Sequence, residues 1–168
     1  LTDTALIAAR DHAGFRPLAL GRKGGAWIVA SETVGFDIID AEYVRDVDPG
    51  EIVVIDRAGA ETGTITSLRI DDRPARPHHC IFEFIYFSRP DSQIFGHSVD
   101  KVRRKLGKNL ARSQPVHPKN PDEKYIVINV PDSSNTATMG FVQASIKLGA
   151  KAKLEIGLIR SHYIGRTF

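Results

Sequence analysis

A chain of 168 residues that is 42% hydrophobic and 26% charged has the composition of a folded globular protein, which excludes a disordered one. Its formal net charge of +3 is mildly basic and is compatible with nucleic acid or a phosphorylated ligand, while no apolar run approaches the roughly 18 residues of a membrane span. A single cysteine, Cys80, excludes a disulfide within the chain, so we expect a reducing, cytoplasmic location. Because the chain begins at Leu1 and not at a methionine, we expect a piece of a longer protein.

The first half of the chain predicts short β-strands joined by tight turns. Apolar runs at 4–10, 26–30 and 51–56 are typical of strands, and polar and apolar residues alternate along 63–70, as in an edge or half-buried strand. Turn-forming clusters lie between them, at 11–14, 24–25 and 48–50. This spacing favours a compact run of β-structure.

A basic, proline-containing stretch at 73–79 predicts a connector, and the apolar and aromatic run that follows at 80–87 predicts a buried strand. Cys80 opens that run. Since apolar surroundings make a thiol inert, a packed structural cysteine is favoured over a nucleophile. His78, His79 and Cys80 are adjacent in an extended segment, so they cannot all face one metal ion, and a self-contained zinc site is not expected.

A helix is predicted from Ser98, its expected N-cap, to Arg112. Apolar residues recur along it at helical spacing: Val99, Val102, Leu106 and Leu110. The opposite face carries six cations: Lys101, Arg103, Arg104, Lys105, Lys108 and Arg112. Such a face could bind nucleic acid, but a solvated face is favoured because no aromatic residues are interleaved along it.

The remainder predicts a βαβ unit and therefore a parallel sheet. After a proline-rich loop at 115–121, an apolar strand at 125–130 leads directly into the polar turn 131–135. A helix then runs to about Leu148, where Gly149 is a typical stop, and a strand follows at 154–159.

The turn at 131–135 is the strongest indication of a site, because ligands of open α/β sheets bind where a parallel strand ends and a helix begins. Free N–H groups at a helix start suit a phosphate. Asp132, Ser133 and Ser134 could also hold a hard cation such as Mg²⁺ through oxygen. The alternative is that these residues only cap the helix, and the spacing leaves both interpretations open.

Four stretches have an identity and an order that point to one family. They are RDHAGFRPL at 10–18, ASETVGFDIIDAEYVRDVDPGE at 30–51, CIFEFIYFSRPDS at 80–92 and HYIGRTF at 162–168. Through them the chain resembles the amidophosphoribosyltransferases, also called glutamine phosphoribosylpyrophosphate amidotransferases, over essentially its whole length.

The resemblance implies a mixed α/β and α+β chain that spans parts of two domains. Residues 1–77 would be the C-terminal part of an N-terminal-nucleophile glutaminase domain, mostly β here. Residues 78–168 would be the N-terminal part of a type I phosphoribosyltransferase domain with a parallel sheet.

The full enzyme makes 5-phosphoribosylamine from phosphoribosylpyrophosphate and glutamine, the first committed step of purine synthesis. Its cysteine nucleophile is absent here, so we expect the chain alone to be inactive. The alternative is a non-catalytic, phosphoribosyltransferase-like module that binds nucleotides.

The resemblance also implies a set of site residues. Substrate would contact Asp132, Ser133 and Ser134 in the turn, together with Tyr163 and Arg166 in a loop that closes over the substrate. Ser133 matches the hydroxyl that the family assigns to the magnesium–substrate complex.

Cys80 matches the first ligand of a [4Fe–4S] cluster in one branch of the family, whose other ligands would lie beyond residue 168. A cluster-free branch also carries a cysteine at this position, so the resemblance leaves both alternatives open. Purine nucleotides are expected as feedback inhibitors and a homo-oligomer is expected at full length, with neither nucleic acid nor a membrane as partner.

Overall fold

The computed structural model describes residues 1–120, 122–159 and 161, and the chain divides into two compact units between Ser98 and Val99. In the first unit the strands are β1 Ala5–Ala9, β2 Ala19–Lys23, β3 Ala26–Ala30, β4 Glu42–Asp46, β5 Glu51–Asp56, β6 Thr66–Arg69, β7 Gln93–Ile94 and β8 His97–Ser98. Its helices are α1 Val34–Ile38 and α2 Arg57–Thr62, and Glu83–Phe87 forms a π-helical turn. The second unit contains α3 Val99–Ser113, β9 Tyr125–Ile128, α4 Asn135–Lys147 and β10 Ala152–Glu155. None of the helices in this described part of the chain has both the length and the apolar character that a membrane crossing requires.

The first unit contains two antiparallel three-stranded sheets, ordered β1-β5-β6 and β3-β2-β4. Alternate residues of β5 are buried, namely Glu51, Val53 and Ile55, because successive side chains of a strand point to opposite faces. The core cluster consists of Ala8, Leu20, Val47, Val53 and Ile55. The predicted strands at 4–10, 26–30 and 51–56 are confirmed, and β6 is an edge strand as expected.

The turn between β2 and β3 confirms the prediction made from the adjacent glycines. Gly24 has φ of 55° and Gly25 has φ of 88°, so both lie in the left-handed region that a two-residue hairpin of this kind requires. A side chain at either position would be strained there, which explains why two glycines occur together.

The prediction of a buried strand at 80–87 is wrong. The segment forms the π-helical turn Glu83–Phe87, in which Glu83 and Phe84 are buried while Ile81 and Phe82 are 57% and 52% exposed. A short apolar run does not by itself distinguish a strand from a helical segment. The charged residue decides the conformation here, because the helical turn places Glu83 inside, where Arg16 and Ser88 bond its carboxylate at 3.0 and 2.9 Å.

The second unit confirms the predicted βαβ arrangement. Strands β9 and β10 are parallel, with Tyr125 opposite Ala152 and Ile128 opposite Glu155, and α4 connects them. Gly149, with φ of 91°, follows the end of α4, as its position in the sequence indicates. The carboxyl ends of both strands therefore lie at the same edge as the start of α4.

Helix α3 begins and ends close to its predicted bounds, but the predicted division between an apolar and a basic face is wrong. Its buried residues are Val99, Arg103, Gly107 and Ala111, whereas Leu106 and Leu110 are 39% and 53% exposed. The reason is a close crossing with α4. A Cβ atom added to Gly107 would lie 1.8 Å from the carbonyl oxygen of Ala137. One added to Gly140 would lie 2.1 Å from that of Arg104, so glycines and not leucines form the contact.

Candidate functional site

A cavity of about 420 Å³ opens at the carboxyl ends of β9 and β10, beside the turn at 131–135. It is lined by Asn129, Pro131, Asp132, Asn135, Met139, Leu154, Ile156, Leu158 and Ile159. Its wall is thus apolar along the strand ends and polar along the turn. This is the edge of a parallel sheet at which α/β proteins bind their ligands.

The turn is held by bonds to its own backbone. The hydroxyl of Ser134 donates to the carbonyl oxygen of Val130, and the N–H of Asn135 donates to the carbonyl oxygen of Asp132 at 3.2 Å. Thr138 reinforces the start of α4, because its N–H and its hydroxyl both donate to the carbonyl oxygen of Ser134, at 2.8 and 2.9 Å. The peptide bond between Pro131 and Asp132 is cis.

The two serines of the turn differ in what their hydroxyls do. Ser134 stands at the N-cap position of α4, yet its side chain makes no capping bond to the first turn of the helix. The hydroxyl of Ser133 makes no hydrogen bond to any residue that the structure describes. A helix start leaves backbone N–H groups without intrahelical partners, so the turn combines such donors with a hydroxyl that a ligand can use.

The structure brings only some of the predicted site residues together. Asp132 is exposed and lines the cavity, Ser133 is half-buried beside it in sequence without lining it, and Ser134 lines a second groove. That groove is apolar and includes Leu106, Leu110, Val127 and Phe141. The predicted substrate residues Tyr163 and Arg166, and the closing loop at 160–168 except residue 161, lie outside the described residues.

The charge of the cavity limits what it can bind without help. Among its described lining residues Asp132 is the one charged side chain, and it is negative. A cation between Asp132 and a phosphorylated ligand would offset the repulsion of two negative groups. The oxygens of Asp132 and Ser133 are the hard ligands that Mg²⁺ prefers.

Cys80 lies in a different setting, in the first unit. It is half-buried, its N–H donates to the carbonyl oxygen of Phe15 at 3.0 Å, and its sulfur lies 3.8 Å from Nη1 of Arg16. Within the described part of the chain no three His, Cys, Asp or Glu side chains are grouped so that they could hold a metal ion. A [4Fe–4S] cluster takes four thiolates, so the one cysteine of the 168 residues could supply a single ligand and could not hold a cluster alone.

Polar contacts that the sequence did not indicate join three of the stretches that carry the family resemblance. Arg16 of 10–18 pairs with Glu83 of 80–92 at 3.0 Å. Glu32 of 30–51 accepts from the hydroxyl of Ser92 at 2.6 Å and from the N–H of Arg89 at 2.9 Å. These contacts therefore hold the first unit together, and none of them places its residues at a cavity.

Glu51 is a second buried carboxylate with a structural role. Arg45 donates to both of its oxygens at 2.8 and 2.6 Å, and the hydroxyl of Ser67 and the N–H of Asp48 also donate to it. These bonds, led by those from Arg45, lower the pKa of the Glu51 carboxyl to about 2. The carboxylate joins β5, β6 and the turn before β5, which is a reason for its place at the end of the 30–51 stretch.

Comparison with known proteins places the chain beside one group of enzymes. The chain is 45% identical over 169 residues to the chloroplastic amidophosphoribosyltransferase of Vigna aconitifolia, and 41% identical over 168 residues to the amidophosphoribosyltransferase of Bacillus subtilis. Both matches cover 100% of this chain, and 31% and 32% of the relatives. No protein-family model matches.

Solved structures agree with these sequence matches. One is the structure of an allosteric regulatory enzyme of purine biosynthesis, and another is the glutamine phosphoribosylpyrophosphate amidotransferase of Bacillus subtilis complexed with ADP and GMP. Each is 40% identical to the chain, superimposes with a TM-score of 0.82, and is matched over 100% of this chain and 32% or 33% of its own. The resemblance drawn from the four stretches is confirmed, and the chain spans about a third of the length of the relatives it matches.

Proposed function

We propose that the chain is a segment of an amidophosphoribosyltransferase, and that the complete protein makes phosphoribosylamine from phosphoribosylpyrophosphate and glutamine. The observation that carries the proposal is that the chain is 40–45% identical to such enzymes along its whole length and has a fold that superimposes on a solved structure with a TM-score of 0.82. The chain aligns with about a third of the length of such enzymes, so their activity is assigned to the complete protein and not to these 168 residues.

Within that enzyme, residues 1–77 would belong to the glutaminase domain and residues 78–168 to the phosphoribosyltransferase domain. Antiparallel sheets in the first part and a βαβ unit in the second support this division. The compact units divide later, between Ser98 and Val99, because 78–98 packs with the first unit through contacts such as those of Glu83 and Ser92. The segment 78–98 would then be the start of the transferase domain, seated on the glutaminase domain.

The turn at 131–135 would bind the pyrophosphate group of phosphoribosylpyrophosphate. This role is supported by the position of the turn at the ends of two parallel strands, by the start of α4 next to it, and by the hydroxyl of Ser133, which bonds no residue that the structure describes. Ser133 and Asp132 offer oxygen ligands that fit Mg²⁺, which would neutralise the charge that develops on the departing pyrophosphate. The chain's own contribution is to fix the turn through Ser134 and Thr138, so that donors converge on one place.

The test is a comparison of single hydroxyl deletions in the complete protein. A hydrogen bond to a charged group is worth about 1.5–3 kcal/mol, so Ser133→Ala should raise the KM for phosphoribosylpyrophosphate about tenfold or more. Ser113→Ala is the matched control, because the hydroxyl of Ser113 bonds the carbonyl oxygen of Leu110 within α3, and its removal should leave the KM unchanged. An unaltered KM in the Ser133 variant, at saturating Mg²⁺, would show that the turn does not bind the substrate.

Other attributes remain predictions about the complete protein. Tyr163 and Arg166 would contact the substrate from a closing loop, and Cys80 would supply one ligand of a [4Fe–4S] cluster. Purine nucleotides would inhibit the enzyme, a role that would agree with the ADP and GMP bound to the similar structure from Bacillus subtilis. The complete protein would be a homo-oligomer in the cytoplasm. Iron content after anaerobic purification, compared between the protein and a Cys80→Ser variant, tests the cluster.

A further inference from the structure

Two asparagine side chains join the ends of the turn. Asn129 follows β9, Asn135 is the first residue of α4, and the amide nitrogen of Asn129 lies 2.5 Å from the amide oxygen of Asn135. Both side chains are half-buried and both line the cavity beside Asp132. No family motif singled them out, and their pairing becomes visible only when the strand end and the helix start are placed together.

The pairing decides which group Asn135 presents to the cavity. A side-chain amide has an oxygen that accepts and an NH₂ group that donates twice. Because the oxygen of Asn135 is taken by Asn129, its NH₂ group is the part left for another partner, and it bonds no residue that the structure describes. A donor in this position complements an anionic oxygen and compensates in part for the negative charge of Asp132.

We propose that Asn135 is a further substrate-binding residue, which donates from its NH₂ group to a phosphate oxygen of phosphoribosylpyrophosphate, and that Asn129 is a positioning residue that turns this donor toward the cavity. The inference rests on the proposed function and adds a residue that lines the cavity, which Ser133 does not. It also gives the neutral amide pair a role beyond closing the turn.

The most informative variant is Asn129→Asp in the complete protein. The new carboxylate can only accept, so it draws the NH₂ group of Asn135 toward itself and turns the oxygen of Asn135 to the cavity. The turn stays bonded, but the donor is replaced by an acceptor. We expect the KM for phosphoribosylpyrophosphate to rise about tenfold, as for a lost hydrogen bond to a charged group, with the melting temperature and the KM for glutamine unchanged.

Two further variants separate binding from structure. Asn135→Ala removes the donor and should raise the same KM by a similar factor. Asn109→Ala removes an exposed amide of α3 that accepts from Arg112, and it should change neither constant. Because Asn129→Asp also places a negative charge beside an anionic substrate, it is read against Asn129→Leu, which removes the positioning amide without adding charge and should raise the same KM. If Asn135→Ala does not fold, an unchanged KM in Asn129→Leu overturns the inference.

The outcomes are distinguishable from those of the proposed function. A KM for phosphoribosylpyrophosphate within twofold of the parent in both the Asn129→Asp and Asn135→Ala variants, while Ser133→Ala raises it, overturns the inference and leaves the proposed function standing. A melting temperature that falls in Asn129→Asp with no change in that KM also overturns it, since the pair would then only close the turn. If Ser133→Ala has no effect either, the proposed function fails.

Discussion

The close crossing of α3 and α4 makes a prediction opposite to the usual rule for helices. Replacing a glycine inside a helix by alanine normally stabilises the helix by about 1 kcal/mol, because alanine loses less conformational entropy. At Gly107 a Cβ atom would lie 1.8 Å from the carbonyl oxygen of Ala137, whereas ordinary contact begins at about 3.4 Å. The helices would have to separate by roughly 1.6 Å, which opens the packing around Ala111 and Gly140.

The magnitude follows from the balance of these two effects. Overpacking of this kind costs about 1–3 kcal/mol and occasionally more, and the contact here is with backbone that cannot rotate away. After the gain in helix propensity we expect Gly107→Ala to destabilise the second unit by about 2 kcal/mol or more. Hydrogen exchange of the amides of α4 in the complete protein should then accelerate by at least about tenfold.

The control is Asn109→Ala, on an exposed position of the same helix, where alanine should leave exchange unchanged or slower. Slower exchange of α4 in Gly107→Ala than in the parent protein would refute the reasoning, because it would mean that the two helices are not in backbone contact at this point.

Three other outcomes follow from the same structure. Glu51→Gln should weaken the dependence of the free energy of unfolding on pH in acid. The lowered pKa of Glu51 stabilises the folded state fully above the ordinary carboxyl value of 4.5, and this contribution is lost as the pH falls through about 2. The urea midpoints measured at these two pH values should therefore lie closer together in the variant than in the parent protein. Glu83→Ala should destabilise the first unit by about 2 kcal/mol, measured by thermal unfolding, because it removes the buried carboxylate that the hydroxyl of Ser88 and the guanidinium of Arg16 bond. Glu61→Ala, at an exposed position of α2, should have little effect. The 168-residue chain should show no glutaminase activity, and ammonia release from glutamine above that of a boiled sample would contradict this.

Fewer cations on the basic face of α3 are available to a nucleic acid than its sequence indicates. Arg103 is buried, Arg104 bonds Asp100 at 2.8 Å and Arg112 donates to Asn109 at 3.1 Å, so at least three of the six cations are engaged within the protein. Neutralising Lys101, Lys105 and Lys108 should leave retention on duplex DNA unchanged. A marked loss of retention, with a shallower salt dependence, would restore the nucleic-acid interpretation.

The strands and the βαβ unit could be predicted because their signals are local. The apolar run of β5, the paired glycines at 24–25 and the glycine at 149 indicate conformations that depend on neighbouring residues alone. The turn at 131–135 was predictable for the same reason, since a polar cluster between an apolar strand and a helix marks one edge of a parallel sheet.

The errors come from contacts between distant parts of the chain. At 80–87 the hydrophobic count favours a strand, but the bond between Glu83 and Arg16, 67 positions apart in sequence, favours a helical turn. On α3 the leucines suggest the buried face, but Gly107 and Gly140 allow backbone contact and turn a different face inward. The pairing of Asn129 with Asn135 likewise depends on how the helix follows the strand.

The central claim is tested most directly by assaying the complete protein with phosphoribosylpyrophosphate, glutamine and Mg²⁺, and measuring phosphoribosylamine and pyrophosphate together. The account predicts equimolar formation of both products, which requires each substrate and is reduced about tenfold or more at low phosphoribosylpyrophosphate by Ser133→Ala. Absence of phosphoribosylamine from a folded, complete protein, or full activity of the Ser133 variant at low substrate, would contradict it.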